Sequence, residues 1–274
     1  MTKIKLVISD LDETILKHGD LVSPKDQETV ERLLDQGIEV AWVTGRYYDS
    51  IPEYFTKNER INYVSSSNGA LIHNVKTNKI IYEKNLNYTD VLAIIEKVNE
   101  KASYLFIENR QAVFTDVRLF TNEILEDAYF FESLKKQAQL KDNLYEFIKE
   151  NKIDALKVEA AFHDLDFRDD IYRELSELNQ FKVSATHISN VDVINKDVSK
   201  GTALFYLKNL LGLKTEEIMA IGDNDNDVAM IEAAGIGVAM ANGSPLVKEA
   251  ADFITDSIEN DGFSAAVRKV IKLS

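Results

Sequence analysis

Cysteine is absent from the 274 residues, which excludes disulfides, thiolate metal sites and a cysteine nucleophile. Histidine is scarce: His18, His73, His163 and His187 share no spacing suggestive of a metal site, and ordinary surface or core roles are expected for all four. No apolar run approaches membrane-spanning length. Met1-Thr2-Lys3-Ile4-Lys5 leads straight into Leu6-Val7-Ile8, too short a stretch for the apolar region of a secretory signal. A cytoplasmic address and no membrane association are therefore expected. Positive charge is also in short supply, with 32 Lys+Arg against 46 Asp+Glu and a formal net charge of −14. Such a field repels polyanions, so nucleic acid is not an expected partner. A phosphorylated ligand is repelled too, unless its site carries local positive charge from a metal, a lysine, an arginine or a helix N-terminus. The rest is ordinary for a water-soluble globular chain, with 45% hydrophobic and 28% charged residues. The length suits one large domain or two modest ones. Nothing in the sequence indicates an oligomeric state.

The chain order is more informative. Ile4–Ser9 is a β-branched-rich apolar run ending at paired aspartates, as expected of a buried parallel strand. Ser23 and Pro24 predict a helix start. Val30, Leu33 and Leu34 give that helix its apolar face, and Gly37 suits its stop. Ile38–Val43 reads as the next strand, with Trp42 in the core. Late in the chain Lys200–Leu211 and Asp227–Ala234 read as helices, and Ile218–Ile221 and Ile236–Met240 as strands. This β-α-β grammar predicts a doubly wound α/β core. Between the halves the character changes. Thr89–Lys101 reads as a helix, and Tyr104–Ile107, Val113–Thr115, Leu156–Ala160 and Lys182–Thr186 as strands. With no proline and little glycine, this stretch is a folded α+β insertion and not a linker. The boundaries expected are 1–81 and 191–274 for the core and 82–190 for the insertion.

Open α/β sheets place ligands at the carboxyl ends of their strands. Three such ends carry polar clusters: Asp10-Leu11-Asp12-Glu13-Thr14, Thr44-Gly45-Arg46, and Gly222-Asp223-Asn224-Asp225-Asn226-Asp227. Each alone suits turns and caps. Together, with Lys200 opening the intervening helix in Val198-Ser199-Lys200-Gly201, they resist that reading. Grouped carboxylates are costly, since two like charges ~4 Å apart repel by ~4 kcal/mol at an effective dielectric of 20. A divalent cation relieves this, and an all-oxygen donor set suits Mg²⁺.

On these four motifs the chain resembles the haloacid dehalogenase superfamily, and within it the Cof-type phosphatases with a large α+β cap. Ser67-Asn68-Gly69-Ala70 and the stretch from Val238-Ala239-Met240 to Asp252 add to the likeness. The resemblance implies a Rossmann-like parallel-sheet core with the insertion as a substrate-specificity cap. It also implies Mg²⁺-dependent hydrolysis of a small phosphorylated metabolite, a sugar phosphate or similar, through an aspartyl-phosphate. Asp10 is then the nucleophile and Asp12 the acid and base. The metal ligands implied are the Asp10 carboxylate, the Asp12 backbone carbonyl and Asp223. Asn226 and Asp227 would orient water or neighbouring groups, Asn226 also serving the phosphate. Thr44 and Gly45 would hydrogen-bond the phosphoryl oxygens, and Lys200 would offset their charge.

Other readings stay open. Arg46 is equally a substrate contact or a salt bridge holding its loop, and Asn242 a substrate contact or a cap before Gly243. The cluster Tyr129, Phe130 and Phe131 is expected to be core packing, and Asp164–Asp170 a solvated helix start. Many relatives carry glycine where Glu13 stands, but acidic residues are also familiar there, so an ordinary helical-turn conformation is expected. A phosphomutase would share the aspartyl-phosphate. A phosphometabolite sensor without catalysis is the third reading, against which both Asp10 and Asp12 speak.

Overall fold

The computed structural model describes residues 3–18, 20–98, 101–119, 138–185 and 188–273. Tyr129, Phe130, Phe131 and His187 lie outside the described residues. The strands in chain order begin with β1 (Leu6–Ser9), the hairpin β2 (Leu16–Lys17) and β3 (Leu21–Val22), β4 (Glu39–Val43), β5 (Tyr63–Ser66), β6 (Leu71–Asn74) and β7 (Lys79–Glu83). There follow β8 (Tyr104–Glu108), β9 (Val113–Asp116), β10 (Ala138–Lys141), β11 (Lys157–Ala161), β12 (Phe181–Ser184) and β13 (Asn190–Asn195). The last three are β14 (Ile218–Gly222), β15 (Ile236–Ala239) and β16 (Phe253–Ile254).

Contacts divide the chain into two compact units, the first comprising Met1–Arg46, Ile51–Tyr82 and Ser199–Ser274, the second Tyr47–Ser50 and Glu83–Val198. In the first unit one sheet runs in the order β16-β15-β14-β1-β4-β5-β6-β7. Strands β16 through β5 pair in parallel, and β6 is antiparallel to β5. Strand β1 lies between β4 and β14, so the chain winds outward on one side and resumes on the other. That reversal places a ligand crevice at the carboxyl end of β1. Every residue of β1 is buried, because helices cover both faces of a parallel sheet and its strands read as continuous apolar runs. Trp42 is fully buried and packs edge-on against Phe55. Ser23 caps the helix Pro24–Asp35 through Asp26 N, and Gly37 takes φ 71° just past its end. Asp26 itself is buried and accepts from Ser264 N and Oγ, fastening this helix to Gly262–Val270.

The second unit is an α+β module with the strand order β10-β9-β8-β11-β13-β12, antiparallel except for β9 with β10. Alternation sends Leu105, Ile107, Val158, Ala160, Val191 and Val193 to one face. There they pack with Val91, Ile94, Ile148 and Leu175 from the helices Tyr88–Val98, Leu144–Asn151 and Leu165–Glu177. Asp164 caps the last of these helices through Phe167 N. No helix among the described residues is long and apolar enough to cross a membrane.

Candidate active site

Asp10 follows β1 directly, and its amide donates to Ile221 O of β14 at 3.0 Å. The site therefore starts where the two middle strands end. Lys200 opens the helix Lys200–Leu210, whose N-cap Ser199 forms a reciprocal capping pair with Thr202. Its ammonium is buried between two carboxylates, 2.6 Å from Asp10 Oδ1 and 2.7 Å from Asp227 Oδ1. The other Asp227 oxygen accepts from the amides of Asp223 and Asn224, both at 3.0 Å. Asp227 can fold back this closely because residue 222 is glycine: a Cβ there would lie 2.6 Å from Asp227 Cγ. Asp223 is completed by Thr14, whose hydroxyl donates to Oδ1 at 3.1 Å.

Burial pushes the Asp10 carboxyl well above its ordinary range; Lys200 opposes this, while Asp227, Asp223 and Asp12 add to it. Asp223 is pushed up to about 7, first by burial and then by Asp227. Burial pulls the Lys200 ammonium down, but Asp10 and Asp227 outweigh it and hold it above its usual value. One cation thus fails to balance the cluster. Ligand oxygens of Asp10, Asp223 and Asp227 lie within 4.8 Å of one another, and with Asp227 already committed to Lys200 and two amides, Asp10 and Asp223 are the carboxylates left to hold an ion. Asn226 Oδ1, three residues after Asp223, is buried without a hydrogen-bond partner among the described residues. Oxygen donors in negative excess fit a hard metal cation.

Asp12 stands apart from this cluster. Its carboxylate is gripped by Arg46, with Nε 3.0 Å from both oxygens and Nη2 2.6 Å from Oδ1. The same guanidinium reaches Asp20 Oδ1 at 2.8 Å. Burial opposes the Arg46 charge, but Asp12 and Asp20 more than restore it. Arg46 thus makes a salt bridge, and makes it to the candidate acid itself. Thr44 is buried, its hydroxyl 3.4 Å from Asp12 Oδ2 and accepting from Arg46 N at 3.1 Å.

Glu13 departs from the expected helical turn, with φ 54°. The chain reverses at once after Asp12, and Leu11 O collects the amides of Thr14, Ile15 and Leu16. One residue in so tight a reversal must take positive φ, which explains why glycine suits the position. Asn242 clasps this turn, its Nδ2 donating to Glu13 O at 2.8 Å and its Oδ1 accepting from Ile258 N at 2.9 Å. It holds the turn after Asp12, and both ends of its amide are spent on backbone.

Three residues take parts in the site that the sequence did not assign: Thr14, which stands in the first motif, as a partner of Asp223; Asp20, outside every motif, as a partner of Arg46; and Asn68, which stands in the Ser67–Ala70 stretch. Asn68 Oδ1 accepts from Asn226 Nδ2 at 2.9 Å, and a Cβ at Gly45 would meet that oxygen at 3.0 Å. The signal available for Asn68 was an Asn-Gly pair directly after a strand, which marks a left-handed turn. No such signal existed for Asp20.

A family model of haloacid dehalogenase-like hydrolases matches residues 7–267. The 5-amino-6-(5-phospho-D-ribitylamino)uracil phosphatase YitU of Bacillus subtilis is 29% identical over 99% of this chain and 99% of its own. The same organism's YcsE, of the same name, is 28% identical over 97% of this chain and 95% of its own. The solved structure of the HAD subclass IIB sugar phosphatase BT4131 superposes with a TM-score of 0.83 at 21% identity, covering 97% of this chain and 98% of that one. With the strand-end carboxylates, the buried lysine and a match across nearly the whole length, the chain belongs to the haloacid dehalogenase-like hydrolases, as a phosphatase.

Proposed function

We propose that this protein is a Mg²⁺-dependent phosphomonoesterase acting on a small sugar-type phosphate through an aspartyl-phosphate at Asp10. The observation that carries it is the Lys200 ammonium seated 2.6 Å from Asp10 at the end of β1, with a second carboxylate two residues on. Lys200 holds one Asp10 oxygen and leaves the other for attack on phosphorus. The ester P–O bond then breaks, and Asp12 gives its proton to the departing alkoxide. In the second half Asp12 takes a proton from water, whose oxygen attacks the aspartyl-phosphate and frees inorganic phosphate and Asp10. Asp10, Asp223 and the Asp12 backbone carbonyl would hold Mg²⁺, which would supply shielding between the anionic phosphate and the carboxylates. Thr44 and the amides after it are the hydrogen-bond donors for the phosphoryl oxygens, and Lys200 their counter-charge.

The Arg46 grip on the Asp12 carboxylate belongs to the ligand-free arrangement. Substrate binding loosens it and Asp12 takes up a proton from solvent, which it gives to the leaving oxygen; the proton later taken from water returns to solvent when the grip re-forms. The second unit is read as the cap that sets substrate preference. The substrate class draws support from relatives named for a phosphoribitylamino compound and from a neighbour named as a sugar phosphatase. All three names describe a phosphate ester of a polyhydroxylated chain.

The test is phosphate release over a panel of sugar and sugar-alcohol phosphates, with and without Mg²⁺. Asp10→Asn is expected to fold and to lose turnover by about three orders of magnitude or more. Borohydride trapping during turnover is expected to convert residue 10 of the wild type into homoserine, seen by mass spectrometry. Turnover of Asp10→Asn within tenfold of wild type would end the covalent reading.

A further inference from the structure

Ser67, Asn68 and Gly69 take φ values of 50°, 57° and 99° in succession. Consecutive left-handed residues are rare, and two of these three carry side chains. They are also buried, Ser67 at 0% and Asn68 at 2% exposure, so solvent does not dictate their shape. Each residue of the turn touches a different part of the site. Ser67 N donates to Arg46 O at 2.9 Å and Asn68 N to Thr44 O at 3.0 Å, so the turn holds both carbonyls that flank Gly45. The Asn68 side chain lies against Gly45 itself, where a Cβ would come as close as 3.0 Å to Asn68 Oδ1, and that oxygen takes the Asn226 amide at 2.9 Å. Gly69 meets the start of the lysine helix: a Cβ there would fall 2.2 Å from Ser199 O and 3.3 Å from Lys200 N. Loop 44–46, the turn at Asn226 and the N-terminus bearing Lys200 come from three separate strand or helix ends. The Ser67-Asn68-Gly69 turn touches all three.

We infer that this turn is the positioning element of the phosphate site, and that Asn68 is a positioning residue acting through Gly45 and Asn226. The inference rests on the phosphatase reading of the site. By spending its Oδ1 on Asn226 Nδ2, Asn68 fixes which way that amide faces. It thereby leaves Asn226 Oδ1 as the acceptor turned away from Asn68, buried and without a partner among the described residues. By filling the space beside Gly45 it sets where the backbone donors after Thr44 stand relative to Lys200. Small misplacements of such donors reduce rate more than they reduce affinity.

Asn68→Gly separates the side chain from the backbone, because glycine adopts positive φ without strain and only the amide is lost. With a sugar phosphate as probe, kcat is expected to fall about 30-fold or more while KM changes less than about threefold. The melting temperature is expected to stay within a few degrees of wild type. Asn226→Ala should also lower kcat, and the double variant should be no worse than the more severe single one, as required of residues acting as a unit. Turnover of Asn68→Gly within threefold of wild type overturns the inference, as do losses that multiply in the double variant. Should Asn68→Gly fail to fold, Asn68→Asp carries the test. It keeps the left-handed preference and an oxygen facing Asn226, but sets a negative charge against Gly45, so KM for the phosphate ester is expected to rise about tenfold or more; an unchanged KM overturns the inference. Asp10→Asn in parallel separates the two failures: turnover lost there but kept in Asn68→Gly sinks only the positioning role.

Discussion

Arg46 and Asp12 form the closest two-point ion pair of the candidate site, and neither is fully buried: their side chains are 19% and 46% exposed. A pair in that setting is too screened to matter much for stability. Its geometry is the more telling feature, since a planar guanidinium meeting both carboxylate oxygens fixes a rotamer as a point charge cannot. With Asp20 as a third member, the pair ties the loop after β1 to the hairpin β2–β3 and to loop 44–46. Arg46→Ala is expected to lower kcat/KM by about 10- to 100-fold by freeing the Asp12 side chain. Arg46→Lys should recover only a small part of it. Steady-state kinetics on one sugar phosphate and one aryl phosphate check this, with a smaller loss on the aryl ester, whose leaving group needs less protonation. Full activity in Arg46→Lys would reduce Arg46 to a source of charge. The sequence left Arg46 between two readings because its partner Asp20 lies outside every motif. The strand ends that carry Asp10, Asp12 and Asp223 and the helix start at Lys200 were legible because both are local signals, while the roles proposed for these residues came only with the family resemblance. Glu13 was not, because its left-handed turn is imposed by three amides converging on Leu11 O.

Of the eight strands of the first sheet, β1, β4, β14 and β15 were legible as elements because burial on both faces leaves unbroken apolar runs such as Leu6–Ile8 and Ile218–Ile221; β5, β6, β7 and β16 were not read as strands. The second sheet hid β13, Asn190–Asn195, whose alternation looks like a half-solvated strand. Its polar side is buried instead, Asn190 at 3% and Asp192 at 1% exposure. There Lys157 Nζ lies 3.1 Å from Glu108, 2.8 Å from Glu159 and 4.0 Å from Asp192. Tyr104 OH donates to Glu159 at 2.9 Å. Mutual compensation across β8, β11 and β13 lets charged residues occupy interior positions, which single-strand periodicity does not register. The cluster has a pH signature. Burial pushes the Glu108 carboxyl up to about 7 from its ordinary 4.5, with Lys157 opposing and Glu159 adding. The folded protein then holds this proton more tightly than the unfolded chain. Stability is expected to fall as pH rises from about 4.5 to about 7 and to level off above, by at most about 3 kcal/mol. Glu108→Gln should flatten that slope. Hydrogen exchange of the β8 and β11 amides at pH 5 and pH 7, corrected for intrinsic rates, measures it. A slope unchanged in Glu108→Gln would assign the titration to another group.

At the scale of the whole chain, the net charge of −14 and a phosphorylated substrate are at odds, and the cations of the site do little to resolve this at a distance. Lys200 is already neutralised by Asp10 and Asp227, and Arg46 by Asp12 and Asp20. Such close pairs present no net positive field a few ångströms away. An approaching dianion therefore meets the global negative potential first and the donors of Thr44, Gly45 and Lys200 only on arrival. At about 0.01 M ionic strength the screening length is ~30 Å, comparable to a domain, whereas at 0.15 M it is ~8 Å. Added salt should then remove the long-range repulsion while leaving the short-range contacts nearly intact. With Mg²⁺ held fixed, raising KCl over that interval is expected to increase kcat/KM for a sugar phosphate severalfold, with kcat unchanged. This is the reverse of the dependence expected of an electropositive funnel. Initial rates at sub-KM substrate across a KCl series decide it, with an uncharged viscogen as a control for diffusion. A kcat/KM that falls with salt would mean that exposed positive charge near the site, and not the balance of the whole surface, governs how the phosphate arrives.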